Sequence, residues 1–144
     1  MPCVRDILTR KGSDVISISA AESVLKASQL MNDRGIGGVV VTDPTGVVGI
    51  FTERDILRRV VAERRDPATT PVGDVMTAPV TTCQPETSLE ALGALMTERR
   101  IRHLPVLDDS GLCGVVTSGD LLAYQVADQE VTIEHLNRYV FDLR

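Results

Sequence analysis

Gly49-Ile50-Phe51-Thr52-Glu53-Arg54-Asp55 returns without a gap as Gly114-Val115-Val116-Thr117-Ser118-Gly119-Asp120. The offset of 65 residues from Gly49 to Gly114 also superposes Val15 on Val80, Ser23 on Ser88, Leu30 on Leu95, Met31 on Met96, Arg34 on Arg99, Ile36 on Ile101, Asp43 on Asp108 and Gly46 on Gly111. One structural unit has been duplicated. Because the repeat preserves a polar Thr-x-x-Asp as well as apolar positions, it is expected to carry two related sites along with a doubled scaffold.

A chain of 144 residues with 43% hydrophobic content can build one compact domain. Each half alone buries too little surface to be comfortably stable, so the halves are expected to pack together and leave a cleft at their junction. A net charge of −5 and 3% aromatic residues argue against a nucleic-acid binder or a membrane-surface binder. No apolar run approaches the roughly 20 residues that span a bilayer, and Met1–Lys11 lacks the apolar stretch of a secretory signal, so a cytoplasmic location is expected. Cys3, Cys83 and Cys113 form no even disulfide framework; the offset places Cys83 on Ile18 and Cys113 on Val48, the positions of core aliphatics.

Each copy reads β-α-β-β-α. In the first, a short β-branched strand at Val15–Ile18 precedes a helix that starts at Ser23 and carries Val24, Ala27, Leu30 and Met31 on one face. Strands follow at Gly38–Thr42 and Val47–Phe51, joined through the tight-turn sequence Asp43-Pro44-Thr45-Gly46, and then a helix runs to about Glu63. The second copy repeats this with a strand at Val80–Cys83, a helix at Ser88–Arg99, strands at His103–Leu107 and Leu112–Val116, and a helix at Ser118–Ala127. Short helical turns at Val4–Leu8 and Val72–Met76 precede the copies at a shift of 68, which leaves an extra loop around Lys11-Gly12-Ser13. The expected organisation is therefore 4–63 for the first motif, 64–71 for a linker with two prolines, 72–127 for the second motif, and 128–144 for a C-terminal helix. Ile133, Leu136, Tyr139 and Val140 give that last helix an apolar face for the core or for a partner chain.

Thr52 and Asp55 have the spacing of a capping box, in which both side chains satisfy backbone N–H groups at the start of a helix. That role requires no ligand. A second role is open to the same residues: a helix N-terminus at the end of a hairpin strand presents N–H donors and a hydroxyl beside a carboxylate, and a carboxylate can accept hydrogen bonds from both hydroxyls of a ribose.

Tandem β-α-β-β-α units ending in Gly-h-h-Thr-x-x-Asp, with Arg99-Arg100-Ile101-Arg102-His103-Leu104-Pro105-Val106 leading into the second hairpin, resemble a pair of CBS domains, the module named after cystathionine β-synthase. The likeness runs from Val4 to Ala127 and implies, as an expectation, a stand-alone pair with an α/β (α+β) fold whose two motifs pack with pseudo-two-fold symmetry. The resemblance implies an adenosine-containing ligand (AMP, ADP, ATP, S-adenosylmethionine or NAD) in the cleft between motifs. Carried over by position, Asp55 and Asp120 hold ribose hydroxyls, with Thr52 and Thr117 beside them and Ser118 following. Adenine meets the chain near Val15, Ser17 and Val39 in the first site, and near Val80, Thr82, Leu104 and Pro105 in the second. A homodimer built on helical faces and an unidentified protein partner are also implied; no cofactor or metal is required.

Positive charge for phosphates divides unequally. Arg54 faces Gly119 across the offset, whereas Arg102 and His103 face Gly37 and Gly38. All three are expected to converge on the central cleft, giving unequal sites. His103 and His135 stand far apart without a serine or cysteine in a nucleophile setting, and no phosphate-binding glycine loop or zinc spacing is present, so no catalytic residue is assigned. The expected function is a regulatory nucleotide sensor. The alternative is a ligand-free dimeric scaffold with vestigial pockets.

Overall fold

The computed structural model describes residues 1–12 and 14–142. The first copy contains β1 (Ser17–Ser19), α2 (Val24–Arg34), the hairpin β2 (Gly38–Asp43) and β3 (Gly46–Thr52), and α3 (Glu53–Asp55), which widens into a π-helical run over Ile56–Val61. The second contains α5 (Leu89–Arg99), β4 (His103–Asp108), β5 (Gly111–Thr117) and α6 (Ser118–Asp142). Two lead helices, α1 (Val4–Lys11) and α4 (Val72–Val75), precede the copies. The fold is thus the expected α+β arrangement of two like units.

Local chemistry accounts for the shared element boundaries. Ser23 and Ser88 accept from the N–H groups of Lys26 and Ala91, each at 3.1 Å, and so start α2 and α5. Both hairpins carry the same irregularity, between Val41 and Thr42 and between Val106 and Leu107, which are equivalent positions. β1 runs parallel to β2 with Ile18 opposite Val41. The expected strand Val80–Cys83 shrinks to a single bridge, Cys83 opposite Val106, in the same register. Its truncation has a cause: in the first copy the Ala20 N–H donates to the Thr42 carbonyl at 2.9 Å, but the equivalent position is Pro85, which has no N–H to give.

The lead helices are exchanged. α1 contributes Val4 and Ile7 to the core of the second copy, among Cys83, Leu89, Leu92, Leu104 and Val116. α4 contributes Val72 and Val75 to the core of the first, among Val24, Val39, Phe51 and Val60. The hydrogen bonds are reciprocal: Val72 and Gly73 donate to the carbonyls of Glu22 and Ala20, and Val4 and Arg5 donate to those of Thr87 and Pro85. Each copy therefore completes its core with a helix that precedes the other in sequence, and neither can be removed intact.

One expectation about the helices is corrected. The helices at Ser118–Ala127 and beyond Val131 form one element, α6, of 25 residues, because Asp128-Gln129-Glu130 contains no glycine or proline to break it. Its distal apolar residues Ile133, Leu136 and Val140 are exposed, so that part of the helix does not pack on the core of this chain. The loop position Ser13 and the end of the C-terminal segment, Leu143 and Arg144, lie outside the described residues. Cys83 is buried, and burial, reinforced by Cys113, pushes its thiol up to about 12, which suits a core filler rather than a reactive group. No helix among the described residues is long and apolar enough to cross a membrane.

Candidate functional site

Each Thr-x-x-Asp sits where a hairpin strand turns into a helix. Asp55 Oδ2 accepts from the Thr52 N–H at 3.0 Å and lies 3.3 Å from the Thr52 hydroxyl. Its Oδ1 accepts from the Thr77 hydroxyl at 2.9 Å, with Arg59 Nε at 3.7 Å. In the second copy Asp120 Oδ2 accepts from the Thr117 N–H at 2.9 Å, and the Asp120 N–H donates to the Thr117 hydroxyl at 3.1 Å. Lys11 Nζ reaches the same Oδ2 at 2.6 Å and the Val115 carbonyl at 2.9 Å. The capping role is therefore real in both copies, and it leaves room for more. Asp55 is only 4% exposed yet borders a cavity, a costly placement for a carboxylate unless it is hydrogen-bonded.

Two cavities adjoin these acids. The Asp55 cavity, about 490 Å³, is walled by Thr52, Glu53 and Arg54 from the first copy and by Thr77 and the segment Arg100–His103 from the second. The Asp120 cavity, about 420 Å³, is walled by Thr117, Ser118 and Gly119 from the second copy and by Lys11, Asp14, Ile16 and the segment Gly35–Gly38 from the first. Arg102 and His103 border both.

Val15, Ser17 and Val39, expected beside Asp55, are absent from the wall of its cavity, and their chain neighbours Ile16 and Gly38 line the Asp120 cavity instead. The physical reason is the exchange of lead helices, which brings the approach to each first strand against the opposite acid. Thr52, Arg54, Asp55, Arg102 and His103 are brought together as expected, as are Thr117, Ser118 and Asp120. Val15, Val39, Val80, Thr82, Leu104 and Pro105 line neither cavity, and Ser17 lines a separate surface groove. Val39 and Leu104 are core residues.

Lys11, Arg58, Arg59, Thr77 and Arg100 are among the wall residues that carry no site assignment from the sequence. The arginines could have been found by extending the repeat comparison into the helix after Asp55 and the loop before β4. Lys11 and Thr77 carry no such signal, since their placement depends on the exchange.

His103 explains the paired glycines. A Cβ on Gly38 would lie 3.1 Å from Cδ2 of the imidazole, and one on Gly37 would lie 3.7 Å from Nε2. The glycines admit a ring from the other copy. Burial lowers the pKa of His103 below its ordinary value, opposed by Glu53 and Asp120 and reinforced by Arg102 and Lys11. The neutral ring is thus favoured in the fold, and the stability this confers is present above the unfolded value of about 6.5 and lost as pH falls from there through the lower folded value. Urea midpoints measured from pH 7.5 to 5.5 are expected to fall more for the wild type than for His103→Gln. Equal declines would show that His103 does not carry this dependence.

Arg100 is a second strained placement. It closes α5 at φ 54°, in the left-handed region, where the equivalent cap in the first copy is Gly35 at φ 63°. A side chain there costs about 1 kcal/mol relative to glycine. The chain nevertheless places a guanidinium there, on the cavity wall.

The family model for the CBS domain matches residues 4–62 and 72–127. The CBS domain-containing protein YhcV of Bacillus subtilis (strain 168) is 33% identical over 90% of this chain and 89% of its own length. A protein with CBS domains from Burkholderia ambifaria MC40-6 superposes with a TM-score of 0.85 at 40% identity, over 89% of this chain and 96% of that one. The CBS domain pair of protein MJ0100, solved in complex with 5-methylthioadenosine and S-adenosyl-L-methionine, superposes at 0.75 with 26% identity, over 85% of this chain and 98% of that one.

Proposed function

This chain belongs to the CBS domain family, and on that premise we propose that it is a regulatory module that binds an adenosine nucleotide between its two copies and relays occupancy to a partner protein. AMP, ADP and ATP are the nucleotides proposed; S-adenosylmethionine and NAD are the less favoured adenosine ligands. Asp55 and Asp120 serve as ribose acceptors, with Thr52 and Thr117 beside them, and Arg54, Arg102 and His103 face the phosphates. No catalytic step is assigned.

The observation that carries this reading is the Asp55 cavity: a nearly buried carboxylate at a helix start, with arginines supplied by both copies. The acid suits a diol and the cations suit a phosphate tail. The MJ0100 complex supports an adenosine moiety in such a fold. Because the walls come from both copies, a ligand stabilises their mutual packing, and occupancy can be communicated by that route. The test is a calorimetric and thermal-shift panel of AMP, ADP, ATP, S-adenosylmethionine and NAD. A ligand at 100 times its Kd should add about 2.7 kcal/mol. A panel without any binding would favour the scaffold.

The partner expectation includes a second copy. Leu57 and Val61 are exposed on the helix after Asp55, and their equivalents at the offset of 65, Leu122 and Val126, are exposed on α6. Two like apolar faces on equivalent helices suit a symmetric association in which both are covered together. Light scattering is expected to give twice the chain mass at micromolar concentration, and Leu57→Glu with Leu122→Glu is expected to give the chain mass. A wild-type monomer would contradict this.

A further inference from the structure

The two copies differ in charge at every position where the Asp55 cavity has an arginine. Arg54, Arg58, Arg59, Arg100 and Arg102 border the Asp55 cavity. Across the offset of 65 their counterparts are Gly119, Ala123, Tyr124, Gly35 and Gly37. Duplication began with like sites; Arg54, Arg58, Arg59 and Arg100 now border the Asp55 cavity alone of the two, and Arg102 stands on the wall they share.

Four of these arginines have no carboxylate partner within salt-bridge range among the described residues: the ion pairs there are Arg5 with Glu86, Lys11 with Asp120, Arg59 with Asp55, and Arg138 with Glu134. Arg59 is further engaged with the carbonyls of Val75 and Met76. Arg54, Arg58, Arg100 and Arg102 thus converge unpaired on one concave wall, against only Glu53 and Asp55. Like charges gathered this way repel one another and raise the local concentration of anions. Arg100 adds weight, because it is held in a backbone conformation that its counterpart fills with glycine.

The Asp120 cavity is different. Its own cation, Lys11, is already bound to Asp120, and beyond the shared Arg102 and His103 its wall is made of the aliphatics Ile16, Ile36 and Val115, small residues and Asp14.

We infer that the two cavities take ligands of different charge class: the Asp55 cavity binds a nucleotide with two or three phosphates, its tail clamped by Arg54 and Arg58 from one copy and Arg100 and Arg102 from the other, while the Asp120 cavity does not accept a polyphosphate. This rests on the nucleotide reading above for the nucleoside and on the arginine geometry for the phosphates. Four guanidiniums offer more donors than a single phosphate can use, which is why a longer tail is assigned.

Isothermal titration of the full chain with ATP, adenosine and inorganic tripolyphosphate separates the two parts. The expected result is one ATP per chain, bound at least tenfold more tightly than adenosine, with the difference shrinking as salt is raised from 50 to about 300 mM. Arg58→Ala with Arg100→Gly should lower ATP affinity at least tenfold and leave adenosine unchanged, and Arg100→Gly alone should melt no lower than wild type because it relieves the left-handed cap. Tripolyphosphate binding that is lost in the double variant, with no binding of any nucleoside, would uphold the phosphate clamp and sink the nucleotide reading. Equal affinity for ATP and adenosine, two equivalent ATP per chain, or an ATP affinity indifferent to the double substitution would overturn the inference.

Discussion

Asp55→Asn is expected to weaken ATP binding by about 2 kcal/mol, roughly 30-fold, while the protein stays folded. Hydrogen bonds to a charged acceptor are worth about 1.5–3 kcal/mol each, and those to a neutral amide about half as much. Two ribose hydroxyls exchanging one acceptor for the other therefore lose about 2 kcal/mol between them. Asparagine retains the shape of the side chain and can still accept from the Thr52 N–H, which preserves the cap. The Thr77 hydroxyl can rotate to accept from the new amide, so no buried donor is stranded. Alanine is the poorer probe, since it removes cap and ribose acceptor together. The measurement is titration calorimetry beside a melting curve of the ligand-free variant. Unchanged ATP affinity in a folded Asp55→Asn protein would remove the ribose role and leave only the cap.

Gly49→Ala is expected to cost about 2 kcal/mol, lowering Tm by roughly 4–8 °C, whereas Gly114→Ala costs less than about 1 kcal/mol. The two glycines open equivalent motifs but face different neighbours. A Cβ on Gly49 would lie 2.5 Å from the Met76 sulfur and 2.9 Å from the Thr77 carbonyl oxygen. That carbonyl is fixed by the paired bonds Ile50 N–H to Thr77 O and Thr77 N–H to Ile50 O, at 3.1 and 2.8 Å, so it cannot give way cheaply. A Cβ on Gly114 would meet only the Cδ atoms of Leu8, at 2.8 and 3.1 Å, and a leucine side chain can turn aside. Differential scanning calorimetry decides the order. If Gly114→Ala were the more damaging, the lead helices would not pack as described.

These motif glycines also show how far the chain could be read directly. Their recurrence at a fixed offset was plain, and it located the hairpins, the caps and both acids correctly. Their purpose was hidden, because the atoms they make room for belong to helices that the chain reaches 27 residues later in one case (Gly49 to Met76) and 106 earlier in the other (Leu8 to Gly114). Gly37 and Gly38 stand in the sequence only as the uncharged counterparts of Arg102 and His103, while in space they receive His103 from the other copy.

The repeat by itself determined the α+β architecture, the place of each Thr-x-x-Asp at a strand-to-helix turn, and the inequality of charge between copies, since all of these follow from local propensity and from comparing one half with the other. The tertiary structure alone decided which walls enclose which acid. Packing an apolar face takes the nearest complementary surface in space, so α1 and α4 crossed to the opposite cores, and with them Lys11 came to Asp120 and Thr77 to Asp55. A sequence records spacing along the chain, and such a crossing leaves no trace in it.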